Sequence, residues 1–243
     1  EGVATRVRRI AAADTGLMIK ERGVGGHTRV WYYRTGSAGS HLQRSDVPEE
    51  LIRSARVLHV TGITPALSAT ASDAVTYACQ VAREHGVAVS FDVNFRSRLW
   101  NRELAATTLT EVVKLADIVF AGLTEVSLFT GADREPIEAA RSLARLGPRQ
   151  VVVKRGTAGA CAWADGAAYV QEAIPVSVVD PVGSGDAFAA GYLRELVGGA
   201  PVVERLATAA RSGAFACTVP GDWEGMPRYE ELDLLSSPAN VTR

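Results

Sequence analysis

Val179 to Gly191 reads V-D-P-V-G-S-G-D-A-F-A-A-G. The β-branched residues Val176, Val178 and Val179 lead into it, and Ala187, Phe188, Ala189, Ala190, Tyr192 and Leu193 follow as a helical run. Gly183, Ser184 and Gly185 therefore sit where an extended segment turns into a helix, between two carboxylates, Asp180 and Asp186. The amides of a helix's first turn, with the positive end of its dipole, attract anions. Asp186 falls in that turn, where a carboxylate is a poor anion ligand but a good acceptor of a proton from an alcohol. A hole for developing negative charge beside a base describes phosphoryl transfer to a hydroxyl. The same residues also make an ordinary helix start, with Asp capping and Gly turning. On G-S-G-D alone the two readings stand level.

Composition narrows the field. The chain has 243 residues, 47% hydrophobic, enough for one sizeable α/β domain with a buried core. A net charge of −1 and a pI near 6.5 give no reason to expect nucleic acid or an anionic membrane as partner. No apolar run approaches the roughly 18 residues of a membrane span, and no signal peptide is visible. Cys79, Cys161 and Cys217 are far apart and lack metal spacing, which suits a reducing cytoplasmic setting and structural thiols. The histidines do not cluster, and neither a Walker A sequence nor G-x-G-x-x-G occurs.

Outward from the signature, short apolar runs alternate with helical patterns. Strands are expected at Arg56–Val60, Val87–Val93, Ile118–Phe120 and Val151–Lys154. Thr61–Pro65 is expected to turn into a helix running to about Glu84, with further helices at Leu104–Leu115, Thr124–Phe129, Pro136–Leu146 and about Val202–Cys217. Ala160–Trp163 and Ala168–Val170 read as a hairpin around Asp165-Gly166. The alternation predicts a mostly parallel sheet covered on both faces, with ligands beyond the strands' carboxyl ends. Ahead of these units, Thr15–Lys20 and Thr28–Arg34 read as a two-stranded ribbon around the turn Gly23-Val24-Gly25-Gly26, an appendage rather than core.

The full run D-P-V-G-S-G-D-A-F-A-A-G resembles the C-terminal signature of the ribokinase-like (PfkB) carbohydrate kinases. The resemblance implies a single ribokinase-like domain over residues 1–243, three-layer α/β/α, with residues 14–41 as a small β-ribbon lid. It implies Asp186 as catalytic base and Gly183, Ser184 and Gly185 as anion hole. No counterpart of that family's opening strand and Gly-Gly segment is found, and Glu1–Thr5 resembles a point just after it.

Further stretches are similar to one subgroup, the kinases of 2-keto-3-deoxygluconate. Phe91-Asp92-Val93-Asn94-Phe95-Arg96, ending in Leu99-Trp100, follows a strand end. Alone it suits a solvated loop, with Arg96 over Trp100; on the resemblance, Arg96 grips the carboxylate of a sugar acid. Trp31-Tyr32-Tyr33-Arg34 resembles the subgroup's lid, which makes Tyr32 and Arg34 the substrate-facing pair. Ile63 in T-G-I-T-P is expected to line the pocket, Asn94 to add a polar contact, and Asp222 in G-D-W-E-G to bond hydroxyls. Each of these has a plainer reading as core, loop or turn. For the nucleotide, the resemblance implies Lys154 and Gly156 of K-R-G, Gly122, and the glycines of the hole, with Ala209–Cys217 as a wall of the adenine pocket. Glu125 matches the Glu of N-x-x-E, which orders Mg2+ through water, although Gly122 replaces the Asn.

The expectation is thus an ATP- and Mg2+-dependent kinase of a sugar acid, acting at its 6-hydroxyl, and a homo-oligomer through the ribbon. A fructokinase or other sugar kinase, or a non-catalytic binding relative, is the alternative.

Overall fold

The computed structural model describes residues 2–22, 28–131 and 135–236. The expected turn at Gly23–Gly26 lies outside them. The chain divides into two compact units, Glu1–Ala116 and Asp117–Arg243.

In the first unit, β1 (Leu17–Arg22) pairs antiparallel with β2 (Thr28–Tyr33), Leu17 opposite Tyr33 and Ile19 opposite Trp31. This ribbon forms a sheet of its own. A short helix, α1 (Glu49–Ser54), precedes β3 (Val57–Thr61). The reading of the sequence did not anticipate α1. Parallel pairing joins β3 to β4 (Ala88–Asp92), Val57 opposite Ala88 and Thr61 opposite Asp92. Between them runs α2 (Ala69–Glu84), capped by Ser68, whose hydroxyl accepts the Ala71 N–H at 3.1 Å. Ala71, Ala74, Val75, Ala78 and Ala82 recur at helical spacing and are buried. The expected turn at Thr61–Pro65 runs on through residue 67 before the helix begins. Helix α3 (Arg102–Leu115) is capped by Asn101 and buries Ala105, Leu109, Val112 and Val113.

The strand register decides where the loops leave. Thr61 and Asp92 end their strands side by side, so segments 62–64 and 93–96 emerge at one edge. Gly62 N–H donates to Asp92 O at 2.9 Å. A Cβ at Gly62 would collide with the Val93 carbonyl, so glycine is required for this close approach.

In the second unit the strand order is β5 (Ile118–Gly122), β6 (Gln150–Lys154), β7 (Ala160–Ala164), β8 (Ala167–Gln171). β5 and β6 run parallel, with Gly122 opposite Lys154; β7 and β8 continue antiparallel. Asp165 (φ 50) and Gly166 (φ 85) both adopt the left-handed turn that a two-residue hairpin needs. Helices α4 (Leu123–Thr130) and α5 (Pro136–Ala144) link β5 to β6, and α5 starts on a proline, as that position favours. After β8 an irregular extended stretch leads to α6 (Ser184–Val197) and α7 (Val202–Ala216).

The core of this unit gathers Phe120, Val152, Phe188, Tyr192 and Leu206. Phe120 meets the Tyr192 ring edge-on at 5.3 Å between centroids. The buried Tyr192 hydroxyl donates to Gln150 Oε1 at 2.9 Å, which satisfies a polar group that would otherwise be costly to bury. Fixing α6 through Tyr192 also fixes its first turn, where the signature lies.

Candidate functional site

The signature folds as its small residues demand. Gly183, the N-cap of α6, has φ 82, a left-handed conformation that disfavours other residues. A Cβ there would run into the Asp222 carbonyl oxygen and come within 3.0 Å of Asp222 Oδ1. The acidic loop after α7 therefore lies directly on the start of α6. Buried Asp180 ties the two together: its Oδ1 accepts the Val182 N–H at 3.2 Å and its Oδ2 the Gly221 N–H at 3.4 Å. Val179 and Asp180 also donate their N–H groups to Cys217 O at the end of α7.

The expected three-amide hole needs one correction. The Ser184 N–H already donates to Pro181 O at 3.3 Å, and its hydroxyl donates to the same oxygen at 2.7 Å. The turn that sets up the helix takes both donors of this residue. The N–H groups of Gly183 and Gly185 have no acceptor among the described residues, and Ala187 N–H to Gly183 O begins the helical ladder. Asp186 stands in the first turn and is exposed. A Cβ on Gly185 would sit 3.4 Å from Lys154 Nζ, so the ammonium at the end of β6 lies against the hole.

Beside this hole is a cavity of about 370 Å³. Lys154, Gly156, Ser184 and Gly185 line its polar end, and Ala210, Gly213, Ala214 and Cys217 of α7 line one wall. Ile174, Val176 and Val178, from the irregular stretch after β8, line it too. The α7 wall falls within the expected Ala209–Cys217; the role of Ile174, Val176 and Val178 was not anticipated. A largely apolar cavity ending in an ammonium and the Gly185 amide suits a nucleotide.

Gly122 and Glu125 begin α4. Glu125 Oε2 accepts the Gly122 N–H at 2.7 Å, which holds the carboxylate at the helix start. Among the described residues no group of His, Cys, Asp and Glu forms a metal cage. Mg2+ held mainly by phosphate oxygens and waters needs no such cage, so a single ordered carboxylate fits it.

The first unit holds a second pocket, of about 320 Å³, between the ribbon and the loop after β4. Tyr32, Arg34 and Arg96 line it together, with Val30, Phe95, Ser97 and Arg98. Arg34 stacks on the Tyr32 ring, 4.2 Å from its centroid. Its buried Nε finds no acceptor among the described residues. Burial holds the Arg34 guanidinium below its ordinary pKa, and the nearby Arg96 charge pushes the same way. Three arginines and no carboxylate line this pocket, so its field is positive. Ile63 and Asn94 do not line this pocket. Asn94 takes a left-handed turn (φ 42) that redirects the chain toward Arg96, and Ile63 follows the Gly62 close approach. Arg98 is an additional cation that the motif reading passed over, since it carries no signature of its own.

No helix among the described residues is long and apolar enough to cross a membrane. The model of one family, described as pfkB family carbohydrate kinase, matches residues 1–228. The chain is similar to 2-dehydro-3-deoxygluconokinase of Bacillus subtilis (strain 168), 34% identical over 230 residues, which are 93% of this chain and 71% of that one. Among solved structures, 2-dehydro-3-deoxygluconokinase of Thermotoga maritima superposes with a TM-score of 0.82 at 26% identity, covering 91% of this chain and 74% of that one. An Escherichia coli structure titled as a ribokinase II complex with ATP and Mg2+ gives 0.79 at 27% identity, covering 87% and 68%. The fold is thus ribokinase-like, α/β with a mostly parallel sheet and a separate two-stranded ribbon.

Proposed function

The chain belongs to the pfkB family of carbohydrate kinases and is a sugar kinase; from that premise we propose that it transfers the γ-phosphoryl group of ATP to the 6-hydroxyl of 2-keto-3-deoxygluconate or a close sugar acid. The observation that carries the acid substrate is Arg34, whose buried Nε lacks an acceptor and which faces Arg96 across a pocket lined by no carboxylate. A substrate carboxylate there relieves the repulsion between the two guanidiniums and accepts charge-assisted hydrogen bonds from both. A neutral sugar does neither.

Asp186 takes the hydroxyl proton as oxygen attacks the γ-phosphorus, the bond to the β-phosphate oxygen breaks, and ADP leaves. The amides of Gly183 and Gly185, with Lys154, face the charge that develops on the transferring group. Asp222 accepts from substrate hydroxyls. Mg2+, when bound, neutralises phosphate charge, with Glu125 acting through water. Tyr32 and Arg34 ride on the ribbon, which covers the acid end and excludes water. On the ribbon's opposite face Leu17, Ile19 and Tyr33 are exposed, and this apolar face is where a second copy would pair.

The test is ADP release across sugar acids and neutral sugars, for wild type and Arg96→Ala. Loss of a charged hydrogen bond predicts a KM for the acid raised about 10- to 100-fold, with turnover of neutral sugars unchanged. An equal effect on both classes would remove the argument for an acid. A fructokinase would show itself by preferring the neutral sugar.

A further inference from the structure

We infer that Arg98 is a positioning residue that ties the ribbon to the loop after β4 and so sets the spacing between Arg34 and Arg96. The inference rests on the acid-binding reading and goes beyond it. Arg98 Nη1 donates to Val30 O on β2 at 3.2 Å. Val30, Tyr32 and Arg98 line the same pocket as Arg34 and Arg96. Arg34 follows the end of β2, whereas Arg96 sits two residues before Arg98 in the loop. The two substrate-facing cations thus lie on separate segments, and the Arg98–Val30 bond joins those segments.

The tether has something to oppose. Arg34 and Arg96 line one pocket, and the Arg96 charge adds to burial in lowering the Arg34 pKa, so like charges on ribbon and loop oppose their approach. Arg98 adds a third positive charge to this pocket, and charge alone would worsen the repulsion. The directed bond to a backbone carbonyl is what turns a repelling cation into a link. Because the bond goes to main chain, it occupies no side-chain donor or acceptor of Tyr32 or Arg34.

Two readouts test this on the intact protein, with Arg98→Met and Arg98→Lys beside wild type. The first is hydrogen exchange of the β2 amides without ligand. A tether predicts faster exchange across Val30–Tyr33 in the Met variant, by about three-fold or more, and near wild-type exchange in the Lys variant. A residue that contributes only charge predicts unchanged or slower exchange in the Met variant, because repulsion has been reduced; that result overturns the inference. The second is the split between KM and kcat with 2-keto-3-deoxygluconate. The Met variant should raise KM about ten-fold while kcat changes less, with Lys restoring most of the loss. A wild-type protein inactive on every sugar acid would refute the acid reading, and the exchange readout would then decide the tether by itself. Activity on the acid with no change in exchange or KM in the Met variant would sink the tether alone.

Discussion

Alanine in place of Gly183 perturbs two things that can be separated. The first is the left-handed backbone, at φ 82, which costs a residue with a Cβ about 1–2 kcal/mol. The second is the collision of that Cβ with the Asp222 carbonyl, which cannot swing aside as a side chain would. Overpacking of this kind costs about 1–3 kcal/mol more, less roughly 0.4–1 kcal/mol regained because alanine restricts the unfolded chain. The expected loss is about 1–4.5 kcal/mol. Gly199 supplies the control: its φ is 79, and a Cβ there meets nothing within 4 Å. Gly199→Ala therefore carries the backbone cost without the collision, about 1 kcal/mol. Urea unfolding of the two variants reads the difference as the collision itself. ADP release reads its chemical effect, since relief requires Asp222 or the first turn of α6 to move. We expect Gly183→Ala to lose at least about 100-fold in kcat, the scale of removing an oxyanion donor, and Gly199→Ala to keep it. Equal stability for the two variants, with kcat of Gly183→Ala within two-fold of wild type, would refute the claim that the acidic loop is seated on this glycine.

Three further outcomes are expected. Asp186→Asn should lower kcat by about 10²–10⁴-fold, the usual worth of a positioned base, with KM for both substrates little changed in steady-state assays. Among the thiols, Cys217 lines the cavity beside α6, whereas burial pushes Cys79 up to about 12 and raises Cys161 as well; a maleimide should label Cys217 first, and on the proposed reading ATP should slow that labelling, as peptide mass mapping would show. Burial also holds the Tyr192 hydroxyl up to about 12, against 10.0 when exposed. Its folded pKa is raised, so its contribution is complete below about pH 10 and falls away as pH climbs toward 12; Tyr192→Phe should flatten the stability curve over that window, while losing about 1 kcal/mol at neutral pH with the Gln150 hydrogen bond.

The parallel strands were legible because V-V-V and I-V-F runs are buried on both faces and show no other period. The hairpin was legible because Asp165-Gly166 names its turn. α1 was not, since E-E-L-I-R-S is one short turn-and-a-half with a single buried residue, Ile52. Helix α2 and the turn before it were legible from T-G-I-T-P, but the turn's continuation to residue 67 and the Ser68 cap were not, since A-L-S-A reads equally well as helix. At the site, the residues around Asp186 and Gly183 left a plain helix start and a phosphoryl-transfer hole level, and the longer run's family resemblance tipped the reading. The engagement of Ser184 with Pro181 could not be read, since it depends on how the turn closes. Nor could Asp180, Arg98 or the Ile174–Val178 wall be assigned, as each acts through a partner remote in sequence or through an irregular segment with no period.

The seating of Asp222 on Gly183 has a consequence for redesign. On the proposed reading, the residue that would bond the acceptor's hydroxyls and the turn that would face the transferring phosphoryl form one piece, through Gly183 and through Asp180 on Gly221. Reshaping residues 221–225 to admit a new sugar would carry damage straight into turnover. Ser97 and Tyr32 line the ribbon's pocket and belong neither to residues 221–225 nor to the start of α6, so libraries aimed at new acceptors begin there.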